Sequence, residues 1–155
     1  MDLPTTGHDP VLMNQVLEAL APADGKTIVD CTLGRAGHAS AIAARLGKTG
    51  RLIGLDVDPR NLEFAKTRLS DAPCEVRLFH ANFAELADVL KEVGVDSGVD
   101  GILADLGIST NQLFEEHYGM SFTHDMPLDM RIDPRIRRSA ADLVNALAEQ
   151  DLANV

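Results

Sequence analysis

The run Thr27-Ile-Val-Asp-Cys-Thr-Leu-Gly-Arg-Ala-Gly-His38 sets the architecture of this chain. Residues 27–31 are apolar and β-branched, which is typical of a buried strand, and Gly34 and Gly37 then break the run with a turn. The alanine-rich residues 39–46 predict a helix directly after the turn. A strand, a turn and a helix in this order form the first part of a βαβ unit.

The same alternation continues as far as residue 106. Strands are predicted at 27–31, 51–55, 75–80 and 99–106, and helices at 11–20, 39–46, 61–69 and 83–93. This order predicts an α/β fold with a parallel sheet, helices on both faces and right-handed crossovers. In open sheets of this kind, ligands bind at the carboxyl ends of the strands.

The chain changes character after residue 106. Residues 107–138 are polar and show no clear period, so we expect a long functional loop with short helical turns. Residues 139–155 predict a final helix, with Ser139 as its N-cap and Asp142 completing an approximate capping box. No fifth strand follows, so the fourth strand is predicted to form an exposed sheet edge.

The charge of the chain is unevenly distributed. Its 155 residues include 24 acidic and 14 basic side chains, and the net charge of -10 repels nucleic acid and anionic membranes at long range. Arg131–Arg138 holds four arginines and one aspartate, a local +3, so the other residues carry -13. This segment is either a phosphate-binding patch or a solvated loop. The chain shows neither a membrane span nor a secretory signal, and Cys31 and Cys74 are expected to be buried, reduced thiols.

The glycine turn predicts a ligand site. Glycines let backbone amides approach a ligand, and the start of the following helix offers further amides. The turn has only Gly34 and Gly37, whereas a dinucleotide site has three glycines. Asp30, four residues before Gly34, is poorly suited to a pyrophosphate but suits a ligand with an ammonium group, such as S-adenosylmethionine. The alternative is a plain tight turn.

Two further residues support a nucleoside-type ligand. Asp56 ends the second strand, 22 residues after Gly34, where an acid is placed to accept hydrogen bonds from ribose hydroxyls. The alternative, an aspartate that starts a turn, fits Asp58 better. Phe83 follows the third strand and either stacks on an adenine or lies in the core, while His80 is predicted to be structural.

Asp105 follows the fourth strand and indicates amine chemistry. Methylation of an exocyclic amine needs acceptors that hold its hydrogens and orient its lone pair toward a sulfonium methyl group. It needs no metal or covalent nucleophile, and the five histidines show no metal-ligand spacing.

Several runs resemble a known family. They are His8–Leu12, Asp30–His38, Arg51–Pro59, Asp100–Ser109 and Pro127–Pro134, of which Asp-Leu-Gly-Ile-Ser109 and Pro-Leu-Asp-Met-Arg131 are highly specific. The chain closely resembles the N-terminal half of the MraW family of ribosomal RNA methyltransferases. The resemblance implies a Rossmann-like methyltransferase domain, truncated after the fourth parallel strand. Its core is expected at about 8–106, its substrate loop at about 107–138 and its helix at about 139–155.

The resemblance also implies an activity. It implies a cytoplasmic enzyme that uses S-adenosylmethionine to methylate N4 of one cytidine in small-subunit ribosomal RNA, as free RNA or in the 30S subunit. The cofactor contacts of the family fall on Ala36, Gly37, His38, Asp56, Phe83, Asp105 and Gln112. In the full mechanism, Asp105 and the Leu106 carbonyl accept the N4 hydrogens. The RNA phosphates are expected to bind the arginines Arg131, Arg135, Arg137 and Arg138.

The chain departs from the family in four ways. The family has glycine at Ala36, where a methyl group would crowd the ligand unless φ is negative, and glycine and phenylalanine at Met126 and Met120. The family is also about twice as long, so this chain is expected to be a fragment, a natural truncation or one half that pairs with another chain. The exposed fourth strand is a candidate surface for self-association.

Three functions follow as hypotheses. The first is the cofactor half of an RNA cytosine-N4 methyltransferase, and the second is a non-catalytic module that keeps only the cofactor site. The third, a small-molecule methyltransferase, is disfavoured because the run Pro127–Arg131 would have no obvious purpose there.

Overall fold

The computed structural model describes residues 10–123 and 125–154. These residues divide into two compact units between Leu106 and Gly107. His8 and Asp9, which belong to the first family run, lie outside the described residues.

The first unit is a parallel four-stranded sheet with helices. Its strands are β1 Thr27–Asp30, β2 Arg51–Asp56, β3 Glu75–His80 and β4 Gly101–Leu103. Its helices are α1 Met13–Leu20, α2 Gly37–Leu46, α3 Pro59–Arg68 and α4 Leu86–Glu92, the last preceded by a 3₁₀ turn at Phe83–Glu85. The strand order is β3-β2-β1-β4 and every pair is parallel, which confirms the predicted α/β class.

Two apolar clusters hold this sheet. Successive residues of a strand face opposite sides, so Ile28 belongs to one cluster and Val29 to the other. The first cluster includes buried residues of α2, and the second includes Val89 of α4. Burial on both faces explains why the central strands are almost continuously apolar. Cys31 and Cys74 are buried and free, as predicted.

The fourth strand is shorter than predicted. It was expected at 99–106, but only Gly101–Leu103 form a strand. β4 pairs with β1, whose last residue, Asp30, is the partner of Leu103. Because β1 ends there, residues 104–106 have no β1 residues to pair with. Ile102 is half exposed on this edge of the sheet.

The second unit is a set of short helices and loops. It contains α5 Thr110–Phe114, a 3₁₀ turn at Glu116–Tyr118, α6 Ala140–Ala146 and α7 Glu149–Leu152. The predicted capping box of Ser139 and Asp142 is confirmed.

The prediction of one continuous helix at 139–155 is wrong. The chain leaves the helical conformation at Leu147 and Ala148, with ψ of 144° and 154°, before α7 begins. No residue of α6 or α7 is buried, so packing does not hold the two segments in one helix. Glu149 and Asp151 in the first turn favour a new helix start.

Candidate functional site

The loop between β1 and α2 forms the first side of the candidate site. The Leu33 amide donates to the Leu55 carbonyl at 3.0 Å, and the Ala36 amide donates to the Leu33 carbonyl at 2.9 Å. These bonds hold the loop against β2. In the described chain no side chain caps the N-terminus of α2. This helix therefore presents terminal amides of the kind that bind a carboxylate.

Ala36 has the backbone conformation in which a methyl group is expected to crowd a ligand. Its φ is +59°, in the left-handed region, so the condition for crowding a ligand is met. The residue is nevertheless fully buried, with 0% of its surface exposed, and belongs to the same core cluster as Leu33. Its methyl group contributes to the core, and its effect on a bound ligand stays a prediction.

Gly37 and His38 hold the segment that precedes α1. A Cβ atom at Gly37 would overlap the ring of Pro10, so the close approach of the two segments requires glycine. The Nε2 atom of the buried His38 lies 2.9 Å from the Val11 carbonyl oxygen. The imidazole therefore anchors the chain before α1, and we expect ligand contacts of His38 to come from its backbone.

Asp56 connects the end of β2 to the glycine loop. Its Oδ2 accepts the Gly34 amide at 2.7 Å, and its Oδ1 accepts the Asp58 amide at 2.8 Å. The side-chain amide of Asn61 approaches Oδ2 at 3.5 Å. Burial raises the pKa of the Asp56 carboxyl, and these hydrogen bonds oppose the rise. A carboxylate has about four acceptor positions, so Asp56 keeps capacity for a ligand hydroxyl.

Asp58 has the structural role that its position before Pro59 predicts. It is the N-cap of α3, and its carboxylate accepts the Arg60 amide at 3.0 Å. Only 2% of its surface is exposed. Of these two acids, Asp58 therefore caps α3, whereas Asp56 binds the glycine loop.

Asp30 ends β1 and is almost completely buried, with 1% of its surface exposed. Its Oδ1 accepts the Thr32 amide at 3.1 Å. Burial raises the pKa of the Asp30 carboxyl to about 6, against the lowering effect of this bond. Nearby His38 lowers that pKa and nearby Asp56 raises it. At this depth, the Asp30 carboxylate holds the loop through Thr32 and has almost no surface for direct contact with a ligand.

Phe83 is not a core residue. Its side chain is 52% exposed at the start of the 3₁₀ turn after β3, which excludes the core interpretation and leaves the ring accessible for stacking. Asn82 and Glu85 form a capping box that fixes this turn. The Nε2 atom of His80 lies 2.9 Å from the Val57 carbonyl oxygen, a structural contact.

Asp105 and Leu106 follow β4 and are exposed. The Asp105 amide donates to Thr32 Oγ1 at 2.8 Å. Because β1, β2 and β4 are parallel, their carboxyl ends lie at the same edge of the sheet. This edge therefore brings together Asp30 at the end of β1, Asp56 at the end of β2 and Asp105 after β4.

Gln112 lies in the second unit and is buried. It completes the capping box of α5, because its Oε1 accepts the Ser109 amide at 3.0 Å. The sequence signal for this role is the Ser-x-x-Gln spacing before a helix. Its implied cofactor contact stays a prediction.

The four arginines of the second unit form two groups, one that binds neighbouring aspartates and one that does not. Arg131 binds Asp129 through Nε at 2.6 Å and Nη2 at 2.8 Å, and Arg135 binds Asp133 through Nη2 at 2.8 Å. The structure gives no hydrogen bond or ion pair to Arg137, and the same holds for Arg138, among the described residues. The Asp-x-Arg spacing, which occurs twice in the second unit, is the sequence signal that distinguishes Arg131 and Arg135 from Arg137 and Arg138.

The Pro-Leu-Asp-Met-Arg131 run holds the second unit together. The Met130 amide donates to the Tyr118 carbonyl at 2.8 Å, and the Ala140 amide donates to the Asp129 carbonyl at 2.8 Å. A Cβ atom at Gly119, whose φ is +63°, would overlap the Pro127 carbonyl oxygen. The run therefore links the turn at 116–118 to the start of α6, a purpose that sequence reasoning missed.

Residues 10–123 and 125–154 contain no group of three His, Cys, Asp or Glu side chains placed to hold a metal ion. None of the helices within these ranges combines the length and apolar character needed to cross a membrane.

The sequence is similar to methyltransferases along almost its whole length. Residues 5–155 match the model of the MraW methylase family. The chain is 49% identical to ribosomal RNA small subunit methyltransferase H of Geobacter sp. strain M21, over 96% of this chain and 47% of that protein. It is 43% identical to the protein of the same name from Brevibacillus brevis, over 96% of this chain and 47% of that protein.

The fold is also similar to a solved structure. A protein of Clostridium thermocellum, assigned as an rRNA-methylase, superposes with a TM-score of 0.52 over 63% of this chain and 56% of that chain, at 21% identity. This likeness supports the fold alone. The chain spans about half the length of the curated relatives that it matches.

Proposed function

Because the chain belongs to the MraW methylase family, we propose that its first unit binds S-adenosylmethionine for methylation of N4 of a cytidine in small-subunit ribosomal RNA. The observation that carries the proposal is the meeting of three acids, Asp30, Asp56 and Asp105, at one edge of the sheet. An acidic edge attracts a cation, and S-adenosylmethionine carries a sulfonium and an ammonium group. The same charges disfavour a pyrophosphate or a 2′-phosphate.

Each part of the ligand has a proposed partner in the first unit. Asp56 accepts the ribose hydroxyls, and Phe83 stacks on the adenine with its exposed ring. The uncapped start of α2 takes the carboxylate, with Gly34, Ala36, Gly37 and His38 contributing backbone groups. Asp105 faces the ammonium group, and the buried charge of Asp30 supports the positive charge of the ligand. Gln112 is proposed as a further contact from the second unit.

Asp105 and Leu106 are the proposed catalytic groups. When bound, S-adenosylmethionine supplies an electrophilic methyl group on its sulfonium. The Asp105 carboxylate and the Leu106 carbonyl accept the N4 hydrogens, so the nitrogen lone pair is directed at the methyl group. Transfer would break the bond between the methyl carbon and sulfur, leave S-adenosylhomocysteine as the thioether product and require N4 to release a proton. The exposed Asp105 carboxylate is proposed to pass this proton to solvent.

Arg137 and Arg138 are the proposed phosphate contacts that can be tested most cleanly. Arg131 and Arg135 are proposed to contribute as well, but both also bind acids of their own unit. We expect Arg137→Glu with Arg138→Glu to weaken binding of small-subunit RNA at least tenfold, because two phosphate contacts become repulsions. Filter binding at fixed salt measures the change.

Arg45→Glu with Lys48→Glu is the matched control. It changes the net charge by the same amount, but at the C-terminal end of α2, where Arg45 lies in the last turn and Lys48 follows the helix. We expect this control to reduce RNA affinity less than threefold. An equal loss in both double variants would show that only the total charge matters, and would contradict a localised RNA site.

The edge of β4 is the predicted surface for self-association. β4 pairs with β1 on one side, and within residues 10–123 and 125–154 no strand pairs with its other side. We expect sedimentation to show a concentration-dependent dimer, and Ile102→Lys to abolish it, because a charge on an edge strand opposes pairing. A monomer at every concentration would contradict this prediction.

Methyl transfer tests the proposed activity. We expect the chain, supplied with labelled S-adenosylmethionine, to modify small-subunit RNA from cells that lack this methylation. We place the reaction in the cytoplasm, with free RNA or the 30S subunit as substrate. Ligand binding without transfer would favour the second hypothesis, a non-catalytic module that keeps only the cofactor site.

A further inference from the structure

Few main-chain hydrogen bonds hold the chain at the end of β4. The last ladder bond runs from the Cys31 amide to the Leu103 carbonyl at 2.9 Å. Beyond it, the bond from the Asp105 amide to Thr32 Oγ1, at 2.8 Å, is the only hydrogen bond of Asp105 to any described residue. One side-chain hydroxyl therefore determines where Asp105 lies relative to the glycine loop.

The hydroxyl of Thr32 is itself oriented by the carboxylate of Asp30. Thr32 Oγ1 lies 3.5 Å from Asp30 Oδ1, the same oxygen that accepts the Thr32 amide at 3.1 Å. An ionised carboxylate only accepts hydrogen bonds, so the hydroxyl hydrogen is directed toward Asp30. The oxygen lone pairs are then left to accept the Asp105 amide. The three groups form a chain from Asp30 through Thr32 to Asp105.

We propose that Thr32 is a positioning residue that links the glycine loop to Asp105 and sets the place of the Asp105 carboxylate for a ligand at this edge. This inference rests on the proposed function and adds a residue to it. Thr32 does not touch the reacting atoms. It acts through Asp105, which a flexible chain after Leu103 would otherwise present in many positions, at an entropic cost to binding.

Two substitutions at Thr32 separate this role from packing. Thr32→Val keeps the shape and removes the hydroxyl, whereas Thr32→Ser keeps the hydroxyl and removes a methyl group. We expect calorimetric titration with S-adenosylhomocysteine to show at least fivefold weaker binding for Thr32→Val. Binding by Thr32→Ser should stay within twofold of the unsubstituted chain. A role in packing alone would give the opposite order, because valine fills the space better than serine.

Amide hydrogen exchange at Asp105, followed by NMR without ligand, tests the tether itself. We expect exchange at least tenfold faster in Thr32→Val, with recovery in Thr32→Ser, because only the hydroxyl accepts this amide. Unchanged exchange in Thr32→Val would overturn the proposal directly.

The two possible failures are distinguishable. No binding of S-adenosylhomocysteine by the unsubstituted chain would overturn the proposed function. Binding by the unsubstituted chain with equal affinity in Thr32→Val would overturn only the positioning role of Thr32.

Discussion

Replacing Asp56 by alanine is expected to weaken S-adenosylhomocysteine binding at least a hundredfold, or about 3 kcal/mol. Two losses act together. The charge-assisted bond to the ribose disappears, and the Gly34 amide, which donates to Asp56 at 2.7 Å, loses the acceptor that holds the glycine loop. Calorimetric titration measures the affinity. The same substitution should lower the free energy of unfolding by about 2 kcal/mol, because partly buried amides lose their acceptor.

Asp58→Ala is the matched control for this prediction. It removes the same chemical group two residues away, where the carboxylate caps α3 by accepting the Arg60 amide. We expect a loss of about 1 kcal/mol in stability and less than threefold in affinity. If Asp58→Ala weakened the ligand as much as Asp56→Ala, or if Asp56→Ala bound normally, the ribose assignment would be wrong.

Replacing Asp30 by asparagine is expected to stabilise the chain at pH 7.5 by about 2–3 kcal/mol. Burial raises the pKa of Asp30 from 3.8 to about 6, so the folded chain holds this proton more tightly than the unfolded chain. The stabilisation from the proton is complete below pH 4 and is lost as the pH rises through 6. Asparagine avoids this loss and still accepts the Thr32 amide.

Chemical denaturation between pH 4 and pH 8 measures the difference. The two chains should be similar in stability near pH 4 and diverge up to about pH 6, with a constant gap above it. Identical profiles would contradict an ionised, buried Asp30. We also expect the more stable Asp30→Asn chain to bind S-adenosylhomocysteine less well, as is typical when a destabilising charge serves a ligand.

The first three strands were predictable because their signals are local. β1 and β2 are short apolar runs closed by a turn, and β3 alternates between polar and apolar residues. All three strands occur within a residue of the expected bounds. The end of β4 was not predictable in this way. It depends on where β1 ends, a property of the partner strand, and the composition of residues 104–106 does not show whether they are paired.

The sequence predicts where the candidate-site residues lie in the fold, but not which residues they form hydrogen bonds with. The sequence predicts that Asp56 ends the second strand, which the structure confirms, whereas its contact with a ribose stays a prediction. Nothing in the spacing shows that the same carboxylate holds the Gly34 amide, or that Thr32 reaches Asp105 across the sheet. Such contacts join segments that are distant in sequence, and only the register of the strands brings them together.

The arginine run shows a signal that sequence analysis can use. All four arginines look equivalent as a charge cluster. Arg131 and Arg135, however, each follow an aspartate by two residues and bind it, whereas Arg137 and Arg138 have no such partner upstream. Hydrogen bonds from Arg131 lower the pKa of Asp129, so this pair stays charged over a wide pH range.

Calorimetric titration of this chain with S-adenosylhomocysteine tests the central claim most directly, because it asks whether the acidic edge of the first unit is a cofactor site. The structure predicts saturable binding of one ligand per chain, weakened at least a hundredfold in Asp56→Ala. No heat of binding at high protein concentration, from a chain shown to be folded by circular dichroism, would contradict it.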